Sequence, residues 1–127
     1  RMRIAAPEWR MAGKTGTSQV RNITAAERAR GVIKNEQLPW NRRDHALFVC
    51  FAPFDMPRYA VSVVVEHGGG GSAVAAPIAR DILLFALAGG LPPLSAYPDG
   101  ARAEVEEMWS RMNLMPATPP KTERAKA

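Results

Sequence analysis

Cysteine, histidine and long apolar runs are scarce in this chain of 127 residues, and each scarcity removes a class of protein. One cysteine, Cys50, excludes an intramolecular disulfide framework. With His45 and His67 alone and no group of cysteines, a structural zinc site lacks a ligand set, so no metal or cofactor is expected. The longest uncharged apolar run, Ile82–Leu91, is far short of the roughly 20 residues a membrane helix needs. No signal-peptide pattern opens the sequence. Arg1-Met2-Arg3-Ile4-Ala5 leads straight to Pro7 and a polar stretch, with no Met at position 1, which is expected of a piece of something longer.

What is present is an ordinary apolar fraction, 46%, and a net charge of +5. That size suits one small domain. A basic balance invites a nucleic-acid partner, but the charge is not spread as such a binder needs. Residues 1–20 carry a net +3, 21–45 another +3 and 111–127 another +3, while the core-like stretch 46–110 carries −4. No nucleic-acid partner is therefore expected. A nucleic-acid reading rests on charge alone.

Two strands and their turn are the clearest local pattern. His45–Ala52 (HALFVCFA) and Tyr59–Glu66 (YAVSVVVE) are rich in β-branched and aromatic residues, and Pro53–Arg58 punctuates them, which predicts a β-hairpin. Both strands are apolar at consecutive positions, so a sheet covered on both faces is expected. A third extended segment spans Trp9–Val20. Between them, Arg21–Arg43 is polar, helix-prone around Ala25–Arg30 and broken by Pro39, which predicts a partly helical excursion or a mobile loop. After the hairpin, Gly68–Gly71 reads as a flexible connection, with Ser72 as a helix cap. The helix predicted over Ala73–Ala88 has Val74, Ile78, Ile82 and Phe85 as its apolar stripe, with Leu83 and Leu87 as further candidates, Arg80 and Asp81 on its wet side, and Gly89-Gly90 as its end. A last helix, Ala101–Met112, is expected to bury Ala101, Val105, Met108, Trp109 and Met112. The tail, 117–127, is Pro- and Lys-rich and expected to be disordered.

Among motifs, Gly13-Lys14-Thr15 ends like a phosphate-binding loop, but the glycine required at position 8 is Glu. Gly68-x-Gly70-x-x-Ala73 formally matches a dinucleotide fingerprint, but no second parallel strand follows it. His45 and His67 read as hydrogen-bonded structural histidines at strand ends, and Cys50 as a buried small hydrophobe. Lys14-Thr15-Gly16-Thr17 is a short pattern with physical content. A glycine lets another backbone approach, a lysine supplies a cation, and two hydroxyls suit a carboxylate. On a free sheet edge such a strand can pair with an extended peptide.

Taken in order, Gly13-Lys14-Thr15-Gly16-Thr17-Ser18-Gln19-Val20, then Arg43-Asp44-His45-Ala46-Leu47-Phe48-Val49 and Phe51-Ala52-Pro53, then Tyr59–Glu66, its glycines and Ala75-Ala76-Pro77 resemble the C-terminal end of a class B penicillin-binding protein of the elongation type. The resemblance covers about Trp9–Ala88. It implies an α+β fold, the C-terminal portion of the serine β-lactamase/D,D-peptidase fold, with residues 1–90 as the C-terminal part of the transpeptidase domain (polar insert 21–43); 91–116, beyond the resemblance, is expected to be a C-terminal extension with a short helix. It implies a serine-type D,D-transpeptidase that cross-links peptidoglycan stem peptides and binds β-lactams, located at the periplasmic face of the bacterial inner membrane, with a membrane glycosyltransferase partner. By the same resemblance Lys14 and Thr17 take part in catalysis, Thr17 through its backbone N–H, and Thr15, Gly16, Thr17 and Ser18 bind substrate. The family's other two motifs, Ser-x-x-Lys and Ser-x-Asn, are not in this chain: none of Ser18, Ser62, Ser72, Ser95 and Ser110 is followed by Lys at the third position or Asn at the second. The fragment alone is expected to be inactive. A non-catalytic peptide-binding module using the same strand edge is the alternative.

Overall fold

The computed structural model describes residues 2–114, so the expectations for the tail 117–127 lie outside the described residues. Three strands, β1 (Ala12–Ser18), β2 (His45–Ala52) and β3 (Tyr59–Val65), form one antiparallel sheet in that order. Three α-helices accompany them: α1 (Ala25–Arg30), α2 (Ala76–Ala88) and α3 (Asp99–Arg111). The expected hairpin is β2–β3, in register from Ala46 opposite Val65 to Ala52 opposite Tyr59. Its turn is closed by the Arg58 N–H donating to the Ala52 carbonyl at 3.0 Å. The first strand is shorter than the expected Trp9–Val20, because Pro7–Trp9 forms a 3₁₀ turn ahead of it.

One face of the sheet is covered, not two. Ala46, Phe48, Cys50 and Ala52 of β2 are buried, while Val49 is 52% exposed and Val64 of β3 58% exposed on the opposite face. The apolar runs marked surfaces suited to burial, but the described residues supply helices to only one side. Burial pushes the Cys50 thiol pKa up, as fits a packing residue.

The cover is α2, whose orientation departs from the sequence-based expectation at Ile78, Ile82, Phe85 and Arg80 but keeps Leu83 and Leu87 inside. Ala76, Ala79, Arg80, Leu83, Leu84 and Leu87 face inward, whereas Ile78, Ile82 and Phe85 lie outward. The helix is apolar nearly all round, so periodicity could not choose a face. The alanines decide it, because small side chains let the helix lie close to the sheet. Ser72 does not cap α2; a π-helical turn, Gly71–Ala75, precedes it, with Pro77 in its first turn. Gly89, at φ 69°, ends the helix as expected. By length and composition Gly71–Ala88 passes for a membrane span, but one side of it lies on the sheet.

Helix α3 extends the same core. Ala101, Val105 and Trp109 are buried, and Tyr97 meets Trp109 edge-on with ring centroids 5.8 Å apart. Met108 and Met112, expected inside, are exposed, because the helix buries only a narrow i, i+4 stripe. Arg80, buried on α2, lies with its guanidinium carbon 4.9 Å from the Tyr97 ring centre and donates from Nε to Asp81 at 2.8 Å.

The 21–43 segment is partly helical and tied down. Thr24 caps α1 by accepting from the Glu27 N–H at 3.1 Å. Glu27 then pairs with Arg21 at 2.7 Å and accepts the Ile33 N–H at 3.3 Å, closing the loop on itself. The hydrogen bond from Arg21 holds the Glu27 carboxyl below its ordinary pKa. A carboxylate of depressed pKa stabilises the folded loop above its unfolded value and loses that contribution as pH falls through the folded one. The Ile33 amide is therefore expected to lose hydrogen-exchange protection below the ordinary Glu pKa of 4.5, and Glu27→Gln to flatten that dependence. Protection unchanged by pH in the native chain would contradict the loop closure described here.

Candidate functional site

Strand β1 is an edge. It pairs with β2 on one side and, among the described residues, with nothing on the other. The register sets Gly13 opposite Cys50, Lys14 opposite Val49, Thr15 opposite Phe48, Gly16 opposite Leu47, Thr17 opposite Ala46 and Ser18 opposite His45. Side chains alternate along a strand, so Lys14 and Ser18 share the open face with Val49, and Thr15 and Thr17 share the face of Phe48 and Ala46. Gly13 confirms the phase: a Cβ there would lie 2.5 Å from Phe48 Cζ and 2.9 Å from Cys50 Cβ. The Lys14 ammonium and the two threonine hydroxyls therefore flank the free edge from opposite faces.

Lys14, Thr15, Thr17 and Ser18 are all exposed. The Lys14 Nζ donates to the Thr15 carbonyl at 2.9 Å and pairs with no carboxylate among the described residues. An extended peptide beside β1 would find open backbone groups along the edge, a cation on one face and hydroxyls on the other. The structure thus keeps the residues singled out from the sequence on one short segment. What the sequence did not reveal is which of the two faces is open: the lysine's, shared with exposed Val49.

Behind β1 the glycine run is packed, not loose. Gly69 and Gly71 are buried, and Gly71 lies so close to the sheet that a Cβ there would be 2.4 Å from the Leu47 carbonyl oxygen and 2.7 Å from the Gly16 carbonyl oxygen. Four consecutive glycines carry no sequence signal that separates this contact from a flexible linker. The far end of β1 is fixed by Asp44. Its carboxylate accepts the Val20 N–H at 3.4 Å and the Asn35 amide at 3.3 Å, and its carbonyl accepts the Gly69 N–H at 2.9 Å.

The histidines have structural partners. His45 Nδ1 accepts the His67 backbone N–H at 2.9 Å, so it carries no proton there, and His67 Nδ1 lies 2.9 Å from the Arg43 carbonyl, to which it must donate. Trp40 of the polar insert rests against His67 with ring centroids 4.4 Å apart. A separate cavity of about 480 Å³ lies between α2 and α3, lined by Met2, Pro77, Arg80, Asp81, Val105 and Met108 among others. No residue of β1 lines it. Burial raises the Asp81 carboxyl pKa despite the adjacent Arg80, and pushes the Tyr97 phenol up to about 12. Among the described residues no group of three or more metal-binding side chains occurs.

Residues 1–84 match the family of the penicillin binding protein transpeptidase domain, and the chain belongs to it. It is 37% identical over 97 residues to peptidoglycan D,D-transpeptidase MrdA of Haemophilus influenzae, which covers 76% of this chain and 14% of that protein. It is 40% identical over 78 residues to the MrdA of Acinetobacter baumannii, covering 59% of this chain and 11% of that one. The chain thus spans a small part of the curated relatives it matches. Among solved structures it is similar to Pseudomonas aeruginosa PBP2 in complex with WCK 5153, at 38% identity and a TM-score of 0.43, over 74% of this chain and 17% of that one. The α+β arrangement of a three-stranded antiparallel sheet and packed helices is the transpeptidase-type fold expected from the motif series.

Proposed function

We propose that this chain supplies the Lys-Thr-Gly strand of a serine-type peptidoglycan D,D-transpeptidase, an enzyme that cross-links stem peptides and is acylated by β-lactams. The observation that carries the proposal is β1: a free edge with exposed Lys14, Thr15, Thr17 and Ser18, in a chain of the transpeptidase family. In this reading Lys14 holds the positive potential beside the nucleophile. The hydroxyls of Thr15 and Thr17 bind the carboxylate of the peptide or the antibiotic. The Thr17 N–H is one oxyanion donor, a role whose loss typically costs ~3 kcal/mol. Gly16 lets the peptide lie against the strand, and Ser18 lines its end.

Residues 1–90 then form the C-terminal part of the transpeptidase domain, and 91–116 an extension of it, with α3 packed on the core. The nucleophile and its base come from outside these residues, since no Ser-x-x-Lys occurs in the chain. The intact protein works at the periplasmic face of the inner membrane, held by an anchor not in this chain, alongside a membrane glycosyltransferase.

The test is covalent labelling with fluorescent penicillin. The full-length protein is expected to label and the 127-residue chain alone is not. A stable adduct on the isolated chain would refute the assignment of the nucleophile to another segment, and a full-length protein that never labels would refute the transpeptidase reading.

A further inference from the structure

Besides its ladder partner β2, the candidate strand has a second close backbone neighbour, the turn that opens at Gly71. Gly71 opens the π-helical turn Gly71–Ala75, and π-helical turns are uncommon and often lie at functional sites. An added Cβ at 71 would stand 2.4 Å from the Leu47 oxygen and 2.7 Å from the Gly16 oxygen, distances at which backbone must move, and in ordinary contact with the Gly16 nitrogen at 3.4 Å. The Gly16 carbonyl and the Thr17 N–H belong to one peptide unit, which is planar and trans, since Ala52–Pro53 is the only cis bond among the described residues. In a trans peptide the C=O and N–H point in opposite directions. Whatever limits the position of the Gly16 oxygen therefore limits the direction of the Thr17 N–H.

We infer that Gly71 is a positioning residue of the acyl-transfer site: its backbone is the backstop that sets the Gly16–Thr17 peptide plane, and through it the aim of the Thr17 N–H. The inference rests on the transpeptidase reading and deepens it. Gly71 touches no substrate. Its effect is to hold a donor in place before the oxyanion forms, where a misplacement of about 1 Å costs on the order of 100-fold in rate. Gly71 is itself held from two sides. The Gly69 N–H is bonded to Asp44, and Ala75 and Ala76 at the end of the turn are fully buried under the sheet.

The same glycine run contains its own control. A Cβ at Gly68 would also be crowded, 2.9 Å from Val65 Cγ1 and 3.1 Å from the Val65 oxygen, less tightly than at Gly71, and it would press on β3, not on β1 and β2. Gly68→Ala and Gly71→Ala thus impose steric stress on different strands, the greater at Gly71.

The experiment measures penicillin acylation of the full-length protein, reporting the saturating rate and the half-saturating concentration per folded molecule. Gly71→Ala is expected to lower the saturating rate by about 10- to 100-fold with little change in half-saturation, the signature of a lost transition-state contact. Gly68→Ala is expected to lose stability but to keep its rate within about twofold once folded. Equal rates for Gly71→Ala and the parent protein, or equal losses for both glycine variants, would overturn the inference. Should Gly71→Ala not fold, Ala75→Gly carries the test: it loosens the same turn without adding an atom, and a rate within about twofold of the parent overturns the inference. Lys14→Ala in the same series separates the two levels. If it acylates normally, the site reading itself has failed, whatever the glycine variants do.

Discussion

Lys14→Ala in the full-length protein should reduce the rate of covalent penicillin labelling by about 10- to 100-fold, the range for a hydrogen bond to a charged group in a cleft. Lys14 is exposed on the open face of β1, and no described carboxylate neutralises it, so its charge is available to a ligand. Removing the ammonium takes away a cation without disturbing packing, because the side chain covers no core residue. Melting temperature should therefore stay close to that of the parent protein while labelling falls. Thr17→Ala should cost less in rate than Lys14→Ala, since the backbone N–H survives the substitution. Undiminished labelling of Lys14→Ala at matched folded concentration would sink the site assignment.

Leu83→Ala should destabilise the chain by about 2–5 kcal/mol, whereas Ile82→Ala should change stability by about 0.5 kcal/mol or less. The two residues are adjacent on α2 and nearly equal in hydrophobicity. Leu83 is completely buried against the sheet, and Ile82 is 47% exposed. Truncating Leu83 leaves a cavity in a layer that includes Phe48 and Leu84, where the surrounding alanines cannot move in to fill it. Urea unfolding of both variants in one buffer measures the contrast. Equal losses would mean that the outward stripe of Ile78, Ile82 and Phe85 is as well packed as the inward one.

The legible parts of the sequence were local. The β2–β3 hairpin follows from β-branched composition and a Pro-rich turn, and its observed strands begin and end within a residue of the expected ones. Gly89 stops α2 where a left-handed residue is required. The ordered motifs led to the right family, because a series of short matches in fixed order is far more specific than any one of them. The failures have a common cause. In α2 the apolar residues surround the helix, so the choice between Ile82 and Leu83 depended on which side could approach a sheet. In β2 the apolar run did not say whether a cover for the second face lies among these residues. Among the glycines, composition cannot distinguish a free hinge from a contact in which no side chain fits.

The sequence by itself determined the elements, their order and the short segment that carries Lys14, Thr15, Gly16, Thr17 and Ser18, because these depend on neighbours a few residues apart. Tertiary structure alone decided that this segment is a free sheet edge, that its lysine lies on the open face and its threonines on the face of Phe48 and Ala46, and that Gly71 stands behind Gly16. Those facts depend on strand register and on a backbone approach between residues 55 positions apart, Gly16 and Gly71. Contacts at that separation are set by how layers pack, and a one-dimensional pattern holds no record of the packing.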